Sequence, residues 1–279
     1  MSKSISLITH HLSLITAFRK EKGLSDEQKW PNVLWIVRHG ESAGNVARDA
    51  AEAAGLPLIG ITTRDVDVPL SPMGERQATA LGHWFRKMPP AEQPTIVLAS
   101  PYIRARETAR RVLEAAGIDR EELTFITDER LREREFGIFD RLTRVGIQEK
   151  YPDLAEARTA LGKFYYRPPG GESWCDVILR LRSVNQTITR DYRRERVLIV
   201  SHQVVVNCFR YLLERMTEEQ ILALDRAEEI ANCSVTSYEF NPHLGRHGKL
   251  HLQLYNFVAP LEEAGAPVTT KPDVPVAPK

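Results

Sequence analysis

The chain has little of several features that define common protein classes. It has only three cysteines in 279 residues, with no C-x-x-C spacing, so neither a disulfide framework nor a cysteine zinc site is expected. Its formal net charge is +1, which argues against a nucleic-acid partner because such domains are strongly basic. No apolar run approaches the roughly 20 residues of a membrane helix. These absences predict a globular, cytoplasmic protein without a membrane partner, and they leave a homodimer open.

The two ends of the chain differ from its middle. Residues 4–18 are fairly apolar but are interrupted by His10 and His11, and they predict an amphipathic helix rather than a targeting peptide. Residues 1–30 are interpreted as an N-terminal extension. Residues 259–279 are rich in Pro, Ala, Val and Thr without a helical or strand period, which predicts a mobile tail. A single catalytic domain is therefore expected over residues 31–258.

Within this domain, short apolar runs alternate with helical patterns. The predicted strands are Val33–Val37, Thr95–Ala99, Val197–Val200, Ser234–Phe240 and Leu250–Tyr255. Ser71-Pro72 and Ser100-Pro101 each predict a helix start, with serine as the N-cap and proline at the first helical position. Apolar residues at helical spacing continue the pattern after the first strands. Strands that alternate with helices predict an α/β fold with a mostly parallel sheet.

Histidines and arginines follow three of the predicted strands closely. Arg38 and His39 come immediately after the first strand, Arg104 is the fifth residue after Ala99, and His202 is the second residue after Val200. Ligands bind beyond the carboxyl ends of the strands in open α/β sheets. Arginine presents a rigid fork of donors that matches phosphate oxygens, so these residues predict a phosphate site. Two nearby arginines would also hold His39 in the neutral form that a nucleophile needs.

Four motifs in this order resemble those of the histidine phosphatase superfamily. They are R-H-G-E-S after a strand, S-P-x-x-R-A-x-x-T-A, L-x-E-R-x-F-G, and V-S-H-Q in a late strand–helix turn. The superfamily includes cofactor-dependent phosphoglycerate mutases and the bisphosphatase domain that cleaves fructose 2,6-bisphosphate. The resemblance covers roughly residues 32–256. It implies a three-layer sandwich with helices on both faces of the sheet, and a phosphatase that needs neither a metal nor a cofactor.

The resemblance also assigns roles to single residues. His39 would be the nucleophile that is transiently phosphorylated. Glu133 would protonate the leaving oxygen, with Glu129 and Glu135 as competing candidates. The residues expected to bind phosphoryl oxygens or other parts of the substrate are Arg38, Arg104, His202, Asn45, Gln203 and Arg167.

The substrate class is less sharply indicated than the chemistry. The segment from Tyr166 to Ser173 resembles R-x-P-x-G-E-S of the bisphosphatase and broad-specificity branch, so Arg167 is a candidate ligand for a second anionic group. Gly170 stands where the bisphosphatase has lysine, which weakens a fructose 2,6-bisphosphate assignment. We expect a small phosphorylated metabolite. Two alternatives stay open: a mutase that moves phosphate within a phosphorylated acid, and a non-catalytic sensor of phosphorylated ligands.

Overall fold

The computed structural model describes residues 28–270. The helix predicted in residues 4–18 and the last nine positions, 271–279, lie outside the described residues. The described strands are β1 (Val33–Arg38), β2 (Ile96–Ala99), β3 (Thr124–Thr127), β4 (Arg196–Ser201), β5 (Val235–Asn241) and β6 (Lys249–Phe257). The described α-helices are α1 (Ala43–Ala53), α2 (Pro72–Arg86), α3 (Ile103–Ala116), α4 (Arg144–Lys150), α5 (Pro152–Tyr165), α6 (Trp174–Asp191), α7 (Gln203–Leu213), α8 (Glu218–Ala227) and α9 (Ala259–Glu263).

The six strands form one sheet in the order β3-β2-β4-β1-β5-β6. Neighbours among β1, β2, β3 and β4 pair in parallel, whereas β5 and β6 are antiparallel. The predicted mixed α/β fold with a mostly parallel sheet is confirmed. Strand β3 was not predicted from the sequence, because it is short, lies at the edge and exposes most of its side chains.

Alternation along the central strands gives the sheet two apolar faces. Leu34 and Ile36 of β1 pack with helices α6, α7 and α8 on one face. Trp35 and Val37 pack with α2 and α3 on the other face. Helices therefore cover both sides of the sheet, as a three-layer sandwich requires. Among the helices of residues 28–270, none combines the length and apolar character needed to cross a bilayer.

The segment after β6 differs from the expected tail over its described part. Residues 259–263 form α9, and Leu261 is buried against the core beside α2. Beyond the helix, the Gln77 side chain donates to the carbonyl oxygen of Pro267 at 2.9 Å and to the hydroxyl of Thr269 at 2.9 Å. The sequence pattern did not predict this packing, because one buried leucine and a few hydrogen bonds leave no repeating pattern in a proline-rich segment.

Candidate active site

The parallel strands β2, β4 and β1 are neighbours, so their carboxyl ends meet at one edge. Arg38 pairs with Ser201 in the register of β1 and β4, and the backbone amide of His39 donates to the carbonyl oxygen of Ser201 at 2.8 Å. This edge brings His39 and His202 together with their ring centroids 5.0 Å apart. The convergence of residues from distant parts of the chain, which the strand pattern predicted, is present.

The hydrogen bonds of His39 determine which ring nitrogen carries the lone pair. Its Nδ1 lies 2.6 Å from the carbonyl oxygen of Gly40, and a nitrogen facing a carbonyl must donate a proton to it. In the neutral ring, Nε2 then carries the lone pair. Arg104 donates its Nε–H to this Nε2 at 3.3 Å, which places a cation beside the lone pair. The rings of His39 and His202 are buried, and so are the side chains of Arg38 and Arg104.

Arg104 is held by a carboxylate that the sequence did not single out. Its Nη1 donates to Asp65 Oδ1 at 2.9 Å and to the Asp65 carbonyl oxygen at 2.7 Å. Its Nη2 donates to Asp65 Oδ2 at 3.3 Å. The guanidinium also lies 4.7 Å from the ring centroid of Tyr102. Asp65 thus occupies the paired guanidinium donors of Arg104, which could otherwise bind two phosphate oxygens.

Arg38 and the loop after it are fixed by the segment that precedes β5. The Arg38 side chain donates to the carbonyl oxygen of Ile230 at 2.5 Å. The Asn232 side chain donates to the carbonyl oxygen of His39 at 3.0 Å. These contacts hold the backbone that carries His39, and the segment 230–232 that supplies them was not predicted to take part.

His202 is the N-cap residue of α7 and faces Ser100. The Ser100 hydroxyl and His202 Nε2 are 2.7 Å apart, and the Tyr102 ring packs edge-on at 5.0 Å between centroids. Ser100 was predicted to cap α3, but the helix begins at Ile103 with Tyr102 as its N-cap. That prediction was wrong because the serine hydroxyl is used to orient the histidine. The start of α7 lies at this edge, where its first backbone N–H groups can bind an anion.

The structure favours Glu133 among the three candidate proton donors. Glu133 is buried, and its Oε2 lies 3.9 Å from His202 Nδ1. Its Oε1 accepts from the backbone amide of Arg134 at 2.7 Å. Glu129 is exposed in a short 3-10 turn. Glu135 is half exposed and accepts from the Tyr102 hydroxyl at 3.4 Å, and burial raises its pKa.

A second glutamate holds the loop that carries Glu133. Glu172 accepts from Arg132 at 2.7 Å and from Arg180 Nε at 3.0 Å. It also accepts from the backbone amide of Glu135 at 3.1 Å. Arg180 in turn donates to the carbonyl oxygen of Glu133 at 3.2 Å. The G-E-S segment therefore fixes the backbone on both sides of the candidate proton donor.

Three further candidate residues have different surroundings. Asn45 is buried and forms a capping box with Ser42, whose backbone amide donates to Asn45 Oδ1 at 2.9 Å. Gln203 is buried as the first residue of α7. Arg167 has 63% of its side chain exposed and forms an ion pair with Asp176. None of its described bonds reaches His39, His202 or Glu133.

Sequence reasoning missed Asp65, Ser100, Tyr102 and Asn232 as parts of this site. Ser100 and Tyr102 lie within the S-P-x-x-R-A-x-x-T-A motif. Their position just after a predicted strand could have indicated that they contribute to the site. Asp65 begins a short 3-10 helix, Asp65–Asp67, and Asn232 lies in a turn. Neither has an apolar periodicity that the sequence could show, and only the fold brings them to the site. Within residues 28–270, no group of three His, Cys, Asp or Glu side chains is arranged to hold a metal ion.

Known proteins share this arrangement of strands and motifs. The family model of the histidine phosphatase superfamily (branch 1) matches residues 34–252. The chain belongs to this superfamily. Phosphoglycerate mutase-like protein AT74H of Arabidopsis thaliana is 28% identical over 252 residues, which cover 84% of this chain and 81% of that protein.

Phosphatases are among the similar proteins. A 6-phosphofructo-2-kinase/fructose-2,6-bisphosphatase of Caenorhabditis elegans is 32% identical over 193 residues, which cover 68% of this chain but 36% of that protein. The solved structure of mycobacterial glucosyl-3-phosphoglycerate phosphatase with inorganic phosphate has 25% identity and a TM-score of 0.60. That match covers 82% of this chain and 99% of the other. Family membership and these homologues support a phosphatase.

Proposed function

We propose that this protein is a metal-independent phosphomonoesterase that hydrolyses small phosphorylated metabolites through a phosphohistidine on His39. The observation that carries the proposal is the pair of bonds on the His39 ring. Nδ1 faces the Gly40 carbonyl oxygen at 2.6 Å, and Nε2 faces Arg104 Nε at 3.3 Å. A nucleophilic lone pair beside an arginine is the arrangement that in-line attack on a phosphate dianion requires.

The reaction has two steps. In the first, His39 Nε2 forms a bond to phosphorus while the ester P–O bond breaks and Glu133 gives its proton to the leaving oxygen. In the second, Glu133 takes a proton from water, the water oxygen bonds to phosphorus and the P–N bond breaks. Inorganic phosphate then leaves, and both residues return to their starting states.

The positive charge for this reaction comes from protein side chains and backbone. Arg38, Arg104 and His202 bind the equatorial phosphoryl oxygens, and the amides at the start of α7 add donors beside Gln203. The capping box uses the Asn45 oxygen, so a phosphate contact from Asn45 would use Nδ2. Because arginines supply the charge, we expect turnover to persist in the presence of a chelator.

The cysteines bear on the cellular compartment. Cys175, Cys208 and Cys233 are free thiols, and burial raises the pKa of the Cys208 and Cys233 thiols above the usual range. Thiols kept protonated by burial are inert. Free cysteines are typical of reducing compartments, and we place the enzyme in the cytoplasm.

Turnover of phosphate esters with different leaving groups tests the proposal. The wild type should hydrolyse 4-nitrophenyl phosphate and alkyl phosphates with chelator present, and His39→Ala should abolish both activities. Glu133→Gln should lower kcat/KM, which reports the steps up to loss of the leaving group, about 10²–10⁴-fold for alkyl phosphates. The kcat/KM for 4-nitrophenyl phosphate should fall much less, because nitrophenolate leaves without a proton. His83→Ala, which removes an exposed histidine on α2, is the matched control. An equal loss of kcat/KM on both esters in Glu133→Gln would contradict its role as proton donor.

A further inference from the structure

The two histidines of the catalytic edge have different tasks, although their ring centroids lie only 5.0 Å apart. A nucleophile needs a lone pair aimed at phosphorus, whereas a residue that binds phosphoryl oxygens needs an N–H group. His39 keeps its proton on Nδ1, which faces the Gly40 carbonyl oxygen at 2.6 Å. In His202 the group bonded to one ring nitrogen likewise decides whether the other nitrogen carries the proton.

Ser100 contacts one nitrogen of His202 and is held in place by the sheet. The parallel strands β2 and β4 pair Ala99 with Val200, and the Ser100 amide donates to the Val200 carbonyl oxygen at 3.0 Å. Ser100 therefore lies beside the end of β4, which His202 follows directly. The Ser100 hydroxyl and His202 Nε2 are 2.7 Å apart, and both side chains are fully buried.

The other bonds of Ser100 show that its hydroxyl is the donor. The hydroxyl oxygen accepts from the backbone amide of Tyr102 at 3.3 Å. Within residues 28–270, the only acceptor hydrogen-bonded to this hydroxyl is His202 Nε2. An Nε2–H group, in a neutral ring or in an imidazolium, would leave the buried O–H without an acceptor, and buried hydroxyls are rarely left unbonded. Nε2 therefore carries the lone pair, which accepts from the serine.

The proton of the neutral His202 ring is consequently on Nδ1. A histidine side chain free in water prefers its proton on Nε2, so the contact with Ser100 imposes the less favoured form. Nδ1 lies 3.9 Å from Glu133 Oε2, on the side of the candidate proton donor. In the proposed mechanism the phosphoryl group lies between His39 and Glu133, where an N–H at this position stabilises the charge on an equatorial oxygen.

We propose that Ser100 is a positioning residue: it holds the proton of neutral His202 on Nδ1, and this N–H donates to the phosphoryl group. The proposal rests on the proposed function, since it concerns the phosphoryl group of the same reaction. Ser100 also accounts for the different tasks of the two rings. Both have the proton on Nδ1, but the lone pair of His202 accepts from a serine of the protein, so His39 is the ring that attacks phosphorus.

The position of the proton is measured by ¹⁵N NMR of the histidine rings. In a neutral ring the protonated nitrogen resonates well upfield of the bare nitrogen, and the signals missing from His202→Asn assign the ring. The wild type should carry the proton on Nδ1, and Ser100→Ala should let it populate Nε2 as well. Ser201→Ala is the matched control for this spectrum, because it removes an equally buried hydroxyl that donates to the Leu131 carbonyl oxygen at 2.7 Å instead of to His202.

Phosphate binding and turnover measure whether the position of this proton matters. In Ser100→Ala only the molecules that keep the proton on Nδ1 bind phosphate well. The Kd for inorganic phosphate should therefore rise, and kcat/KM for 4-nitrophenyl phosphate should fall, each by about threefold to tenfold. Ser100→Thr keeps the hydroxyl and should bind phosphate more tightly than Ser100→Ala. A serine that only fills space predicts the reverse order, because the added methyl group overpacks a buried position.

Three results would overturn the proposal. The first is a His202 proton on Nε2, or on both nitrogens, in the wild type without phosphate. The second is a His202 spectrum of Ser100→Ala that matches the wild type. The third is a changed spectrum in Ser100→Ala with unchanged phosphate binding. A wild type that has the proton on Nδ1 and binds phosphate but hydrolyses no ester would reject the proposed function and leave the role of Ser100 in phosphate binding intact.

Discussion

Asp65 accepts hydrogen bonds from Arg104 through both of its carboxylate oxygens, at 2.9 Å and 3.3 Å, while the same guanidinium donates to Nε2 of His39. A substrate phosphate and the Asp65 carboxylate require the same donors. Asp65 is 31% exposed, whereas Arg104 is only 2% exposed, so the aspartate is the partner that can move. We therefore expect a substrate phosphate to displace the Asp65 carboxylate from the guanidinium of Arg104.

Asp65→Asn should bind inorganic phosphate more tightly. A neutral amide competes less well for the arginine, and we expect the Kd for phosphate to fall about fivefold to tenfold, or about 1–1.4 kcal/mol. Isothermal titration calorimetry measures this change. Asp67→Asn is the matched control, because Asp67 lies in the same short helix and pairs with the exposed Arg64. Phosphate binding that is unchanged or weaker in Asp65→Asn would show that the two anions do not compete.

The contrast between Arg104 and Asp65 illustrates what the sequence can predict. Arg104 was found because it stands at a fixed distance after a buried strand, where the fold places ligand-binding residues. Asp65 lies in a short 3-10 helix of three residues, and nothing in the neighbouring sequence indicates which arginine it contacts. The strands and helices of the catalytic edge could be predicted from local patterns, but pairing between distant loops could not.

Glu172→Gln should lower kcat more than it changes KM. Glu172 accepts charged hydrogen bonds from Arg132 and Arg180, and these fix the loop that holds Glu133. A neutral amide weakens both bonds, so the proton donor is less well placed and we expect kcat to fall about tenfold. Steady-state kinetics on an alkyl phosphate provides the measurement. Glu114→Gln removes an exposed glutamate paired with Arg110 and serves as control. A rise in KM alone would argue against a positioning role.

Thr269→Val should reduce both activity and stability. The Thr269 hydroxyl accepts from Gln77 and donates to Asn232 Oδ1 at 3.0 Å, and Asn232 holds the His39 carbonyl oxygen. Loss of two partly buried hydrogen bonds costs about 2 kcal/mol, which lowers the melting temperature by about 4–8 °C in a domain of this size. Thr270→Val, at the exposed neighbouring position, is the control. Equal melting curves for the two variants would show that the C-terminal segment does not support the site.

The contribution of Asp128 to the free energy of unfolding should decrease as pH falls. Burial raises the pKa of this carboxyl, but hydrogen bonds from the Arg130 side chain and backbone outweigh burial and lower it. A carboxyl with a lowered pKa stabilises the fold above its unfolded value of about 3.9 and loses that effect as pH falls. Asp128→Asn should therefore be less stable at pH 7 by about 1 kcal/mol, with a smaller difference below about pH 4.

Urea unfolding at several pH values measures this difference. Asp128 is the N-cap of the 3-10 turn Glu129–Leu131. Asp119→Asn is the control, because Asp119 caps a similar turn by accepting from the backbone amide of Glu121 at 2.9 Å but lies on the surface. A constant difference between wild type and Asp128→Asn from pH 7 to pH 3 would contradict the proposed ion pair.

The most direct measurement is to trap the phosphorylated enzyme by rapid quenching during turnover of a phosphate ester and to map the modified residue by mass spectrometry. A covalent intermediate on His39 predicts one phosphoryl group at that position, labile in acid and stable in base, which is absent in His39→Ala. Turnover without phosphorylated enzyme, or phosphorylation at His202 instead, would contradict it.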